Sequence, residues 1–261
     1  GQSKPSISEK WTQVTGKKVD TSKTDVIIGG FGVSVKGPKA QLMSGEQKES
    51  KATVVSAIQA SKAPEDIRKK LLGVVDKFIT STRTYGAESQ ELPKGMTVGA
   101  LTKLGKSGAE NLPHAKENLA AFEKISKQKD LKVKTESIFK EAFKNTDVSQ
   151  AFAWEAMTGW EKFGGKAFND AGSGREGEAN KMLVWNYDMR GVKYYDLQQG
   201  SSFTKDVAKK MSMKADFKSS RWEIKGVKQG YSFFQTVRLS VNAIFDKADE
   251  LEEEYKSIVL E

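Results

Sequence analysis

The sequence predicts a mixed α/β fold with a large helical insertion, and three observations carry that prediction. Two short β-branched runs, "TDVIIG" and "GVSVKG", flank the glycine-rich "GGFG" between residues 23 and 37. From Ser44 onward a long block repeats apolar residues three and four apart. After Gly165 strand-like runs return. Helix, hairpin, helical block and strand-rich region in that order suit an α/β core interrupted by helices, although two separate domains would give the same string.

Taken in order, "SISEKWTQVTGK" offers Ser6 or Ser8 as a cap, Ile7, Trp11 and Val14 at helical spacing, and Gly16 as a stop. The hairpin follows, with "GGFG" supplying the positive-φ positions of a tight reversal. "ESKATVVSAIQAS" and "PEDIRKKLLGVVDKFIT" read as helices, the second opened by Pro64. Residues 81 to 112 are rich in Gly, Ser and Pro and read as loop. "AKENLAAFEKISKQ" and "TESIFKEAFKN" predict two helices on a lysine-rich stretch, and "SQAFAWEAMTGWEKFGG" a further one ending on paired glycines. "NDAGSGREGEA" is a connector, and "KMLVWNYDMRGVKYYDLQ" a second hairpin. "TKDVAKKMSM" is a short helix, "KADFKSSRWEIKG" and "GYSFFQTVRLSV" are strands, and "FDKADELEEEYKSIVL" closes as an acidic helix. The expected units are therefore 1–45 (helix and hairpin of the core), 46–145 (the lysine-rich helical insertion), 146–245 (the region completing the core) and 246–261 (the acidic helix).

Composition narrows the chemistry. The 261 residues suffice for a sizeable core. Lys and Arg number 43 against 34 acids, a net charge of +9. The last sixteen residues hold seven acids and two lysines, so the tail carries −5 and the remainder +14. A body that basic attracts polyanions, with nucleic acid first among them. There is no cysteine, which excludes disulfides, thiolate metal sites and a cysteine nucleophile. The single histidine, His114, follows a proline and reads as a helix-start surface residue. Hydrolytic chemistry must then be built from carboxylates, hydroxyls, lysines and an oxygen-liganded metal such as Mg²⁺. No apolar run approaches the roughly 18 residues of a membrane span, and no signal core opens the chain, so a soluble protein is expected.

The first hairpin is where such chemistry concentrates. Strand alternation places Ser34 and Lys36 on one face, with Val33 and Val35 on the other, and a tight reversal lets Asp25 reach the same face. A carboxylate can hold the metal, while a neighbouring lysine orients water and stabilises charge developing on phosphorus. Asp25 followed nine and eleven positions later by Ser34 and Lys36, with "KTD" leading an apolar run, resembles the PD-(D/E)XK nuclease superfamily of restriction-endonuclease-like folds. The resemblance covers residues 6 to 42. It implies a restriction-endonuclease-like core and a DNA endonuclease dependent on Mg²⁺ or Mn²⁺, in which Asp25, Lys36, Glu9, Ser34 and Gln41 act. Ser34 stands where the family pattern has an acid, so the metal would lean on the Val35 carbonyl and on Glu9, from the preceding helix, beside Asp25.

Other residues enter as candidates. Glu155 lies on an apolar helix between Trp154 and Trp160 and reads either as a further metal ligand or as part of that helix's polar side. Asp216 and Lys218 form a weaker acid-x-lysine pair, and Asp188 lies in the second hairpin. "GGFG" and "GSGREG" match no phosphate-loop pattern. Lys124, Lys127, Lys129, Lys132 and Lys134 form a run suited to a DNA backbone, or equally a solvated helix surface. Tyr194–Tyr195 and Phe233–Phe234 read as core or strand-face residues rather than base-stacking platforms.

Three functions compete on this reading: a metal-dependent endonuclease, a non-catalytic DNA-binding or virion-packaged phage protein, and an interaction module whose acidic helix masks the basic body. Gly1 and Glu261 suit ends trimmed by a glutamate-specific maturation protease. The expected partner is DNA, with a second copy of the chain (a homodimer) and a phage virion as further candidates and no membrane. The expected location is the host cytoplasm or the virion.

Overall fold

A computed structural model describes residues 9–15, 22–43, 47–86, 103, 105–108, 110–111, 115–163, 177–185, 191–218, 221–224, 227–231 and 236–245. His114, Asp188, Phe233–Phe234, the "GSGREG" stretch and the acidic 246–261 segment lie outside them.

Helix α1 (Glu9–Thr15) buries Trp11 and packs on α2 (Gln47–Ser61). Between them the first hairpin forms as expected. Strands β1 (Val26–Ile28) and β2 (Phe31–Lys36) pair antiparallel, Val26 opposite Val33 and Ile28 opposite Phe31. Gly29 and Gly30 make the reversal at φ of 57° and 83°. Two consecutive positive-φ residues twist the turn in the sense that matches the strands, and only glycine takes both at little cost.

Strand β2 also pairs in parallel with β4 (Lys181–Trp185), and β4 pairs antiparallel with β5 (Val192–Asp196), giving the order β1-β2-β4-β5. A second sheet, β3-β9-β6, joins Lys39–Gln41, Thr236–Ile244 and Met211–Lys218. Strands β7 (Arg221–Ile224) and β8 (Val227–Tyr231) form a separate ribbon. The parallel β2–β4 pair requires a long crossover, and the helices supply it.

Helix α3 (Glu65–Gly86) buries Leu71, Val74, Val75 and Phe78 at helical spacing. It enters the segment expected to be loop. The Ser81 hydroxyl that argued for loop is absorbed by the helix itself, since it is buried and donates to the Phe78 carbonyl, as Thr80 before it donates to that of Asp76. The two helices expected on the lysine-rich stretch are one, α4 (Ala115–Ala142). No glycine or proline interrupts "ISKQKDLKVKTES", and Leu131, Thr135 and Phe139 at four-residue steps keep one continuous buried face.

Helix α5 (Thr146–Thr158) is capped by the Asn145 side chain, which accepts from the Val148 amide, and ends at Gly159 with φ 67°. Nine of its thirteen residues are buried, Phe152 to Thr158 without a break, which explains the apolar run in its second half. Helix α6 (Ser202–Lys210) is capped by Ser201. The second hairpin forms from β4 and β5, and the expected "KADFKSSRWEIKG" strand is divided between β6 and β7.

One apolar core gathers side chains from α2, α3, α4, α5, β4, β6 and β9, so residues 46–145 share their core with 146–245. Buried Phe139 and Phe152 and partly buried Phe143 meet edge to face at 5.2 to 5.8 Å. Among the described residues no helix is long and apolar enough to cross a membrane.

The β2–β4 junction leaves no room at Gly32. An added Cβ would sit 2.6 Å from the Glu178 carbonyl oxygen and would also strike the Thr24 hydroxyl. Gly32→Ala is expected to lower unfolding stability by about 1–3 kcal/mol, as overpacking does, and urea denaturation will read it.

Candidate functional site

The hairpin brings together four of the residues expected there, Val35 through its amide. Residues 22–24 are pinned beside β4: the Lys23 amide donates to the Gly177 carbonyl at 2.7 Å, and the Thr24 hydroxyl to that of Glu178 at 2.8 Å. The Asp25 amide continues the ladder to the Val33 carbonyl. The Asp25 carboxylate is thereby turned across β2. Its Oδ2 accepts from the Val35 amide at 2.7 Å, the Ser34 hydroxyl at 3.2 Å and the Lys36 ammonium at 3.3 Å. Ser34 and Lys36 share a face, as alternation requires. Ser34 is buried, while the Asp25 side chain is 49% exposed and that of Lys36 22%, so the pair is open to a ligand.

Other expected members lie elsewhere. Gln41 is on β3, in the second sheet, exposed, and its amide donates to the Met43 carbonyl. Glu9 is exposed in the first turn of α1. Glu155 is buried rather than on a polar helix side, and its carboxylate is used locally. Oε2 accepts from the Glu161 amide at 2.9 Å and Oε1 from the Lys162 amide at 3.4 Å, closing the turn after α5. Burial pushes its pKa up to about 7 in spite of those bonds. A carboxyl already occupied by its own chain is a poor metal ligand.

Asp216 pairs with Lys132 at 2.6 Å, while the Lys218 side chain lies outside the described residues. Among the lysines of α4, Lys127, Lys129 and Lys134 are exposed, Lys132 is taken by Asp216, and the Lys124 side chain lies outside the described residues. Lys127 and Lys134, seven apart, share a face that Lys129 does not, so these lysines form no single stripe.

Asp25 supplies one carboxylate, fixed by the Ser34 hydroxyl and the Val35 amide, and Mg²⁺ is commonly held by one or two carboxylates with water and substrate phosphate. The donor set meets that minimum. Among the described residues no group of three or more His, Asp or Glu could hold a metal.

Behind the hairpin lies a buried charge cluster that the sequence did not announce. Lys162, fully buried, donates to Glu49 Oε1 at 2.9 Å and stands over the rings of Trp11 and Phe163 at 5.7 and 5.4 Å. Lys23 donates its ammonium to the Leu42 carbonyl at 3.1 Å. Burial first, then the opposing pulls of Glu49, Lys162, Glu155 and Lys36, hold its pKa down at about 8. The available signal was aromatic: Trp160 and Phe163 flank the lysine in "GWEKFGG", which suits a desolvated cation.

Two outcomes follow from this cluster. Lys162→Met leaves the Glu49 carboxylate buried without its cation and should cost about 3–5 kcal/mol, whereas Glu49→Leu combined with Lys162→Met should recover most of that loss in urea denaturation. Glu155, raised from 4.5 to about 7, contributes stability below pH 4.5 that is lost as pH rises through 7. Unfolding free energy measured from pH 5 to 8 should therefore fall more steeply in the wild type than in Glu155→Gln. The chain matches no protein-family model, curated protein or solved structure, so the reading of this site rests on its own geometry.

Proposed function

We propose that this protein is an endonuclease that hydrolyses DNA phosphodiester bonds with Mg²⁺ or Mn²⁺ at the β1–β2 hairpin. One observation carries the reading: Asp25, Ser34, Val35 and Lys36 meet around a single carboxylate oxygen on a solvent-facing strand pair. Asp25 would hold the metal, which supplies charge neutralisation and an activated water. Ser34 and the Val35 amide fix the carboxylate. Lys36 is placed to donate to a water or to a phosphate oxygen. The remainder of the chain, at +14 without its last sixteen residues, favours a polyanionic substrate. The enzyme would act in the host cytoplasm or travel in a phage virion.

A second reading has its own observation. Lys36 is already paired with Asp25, and Ser34 occupies the position where a second acid would stand. A self-neutralised pair of this kind suits a DNA-binding or virion-packaged protein that cleaves nothing.

Nicking of supercoiled plasmid separates the two. With Mg²⁺ or Mn²⁺ the wild type should nick, EDTA should stop it, and Lys36→Ala should lose at least about 100-fold in rate with its thermal midpoint unchanged. Ser34→Asp, which places a second carboxylate beside Asp25, should lower the metal concentration required. Salt-sensitive DNA binding without cleavage in any variant would sink the nuclease reading and leave the binding one.

A further inference from the structure

A second site lies away from the hairpin. Where the end of α4, the first turns of α5, the end of α6 and the start of β6 converge, they enclose a cavity of about 910 Å³. Its rim carries five lysines drawn from three distant segments: Lys140, Lys144, Lys205, Lys209 and Lys214. Glu136 is the only acid in the lining, and its Oε1 is occupied by the Ala215 amide at 3.0 Å. Lys144 pairs with Glu141, outside the lining. Among the described residues no carboxylate pairs with the other four. Phe143, Met211 and Met213 supply an apolar wall.

We propose that this cavity binds a nucleotide unit, its phosphates held by the lysines and its base against Phe143 and the two methionines. Four ammonium groups that no described carboxylate pairs with stand around one concavity against the single charge of Glu136; they repel one another, and a multiply charged anion relieves that repulsion. Lysine is a point-charge partner for phosphate. A flat, polarizable base suits a wall of thioethers and an aromatic ring. The volume lies in the range of small-molecule sites, and a duplex, being convex, cannot enter it. Thr146 and Gln150, from the start of α5, add polar groups at the positive end of that helix dipole. The source of the unit is either a free nucleotide or the phosphorylated end of a single strand, which share this chemistry.

Calorimetric titration of the whole chain in EDTA tests the site, with ATP and inorganic pyrophosphate as probes. ATP should bind, weaken as salt rises, and bind at least tenfold tighter than pyrophosphate because the base contributes. Lys205→Gln with Lys209→Gln should weaken ATP binding at least tenfold, and the corresponding double Glu variant further, with thermal midpoints unchanged. Lys36→Ala should bind ATP as the wild type does, which separates this site from the hairpin whether or not the hairpin cleaves DNA. A 5′-phosphorylated oligonucleotide that displaces ATP assigns the strand end as source; one that does not assigns the free nucleotide. No ATP binding at millimolar concentration, pyrophosphate as tight as ATP, or unchanged affinity in both double variants would overturn the proposal.

Discussion

The fold turns on neutralising one buried cation. Lys162 has no access to water, and an ammonium in that position is tolerable only with a carboxylate against it. Glu49 provides it from the first turn of α2, while Lys162 itself lies just past the end of α5. The pair therefore locks α2 against α5, and the Trp11 ring over the same ammonium draws α1 into the contact. Lys23 packs its stem against Gly159, where a Cβ would come within 3.0 Å of it, and from there the chain runs directly into Asp25. The hairpin is thus braced from behind by a charge balance that includes two lysines and two glutamates.

That balance bears on what the hairpin can do. Asp25 is committed by geometry to the Val35 amide and the Ser34 hydroxyl, bonds that stiffen it without consuming the second carboxylate oxygen in any of the same contacts. A rigid sheet edge holds an acid and an amine at fixed separation better than a loop would. What distinguishes this edge from a two-carboxylate metal centre is Ser34, since a hydroxyl brings no charge to a divalent ion.

Much of this was legible in the sequence where local chemistry decides the outcome. Paired glycines between β-branched runs specify the hairpin, and period-two alternation puts Ser34 and Lys36 on the face that Asp25 reaches. Pro64 precedes α3, whereas α5 starts at its Asn145 cap, ahead of "SQAF", and stops at Gly159, short of the paired glycines expected to end it. The misses were decided by tertiary burial. Ser81 read as a loop residue because an isolated hydroxyl competes with the helix, yet against a packed face it bonds back to the Phe78 carbonyl. The lysines of α4 looked like one tract because they are adjacent in sequence, whereas the helix distributes them around its axis. Glu155 looked available because nothing local reveals that two amides six and seven residues later will claim it. The lysines of the cavity come from α4 and the turn after it, α6 and β6, so no short window of sequence contains them together.

Helix α5 links these two regions. Its first turns, with Thr146, Ser149 and Gln150, line the lysine-rich cavity, and its last turn, with Glu155 and Thr158, supports the segments that hold the hairpin. Thirteen residues span roughly 20 Å at the rise of an α-helix. Because the helix is buried on nearly every face and anchored at both caps, it can shift only by repacking Phe152 against Phe139 and Phe143, or by disturbing the turn that Glu155 closes. Close-packed interiors do not deform continuously. The same packing that makes α5 a buried strut therefore ties the position of the cavity wall to the position of the hairpin's support, with no contact between the two sites themselves.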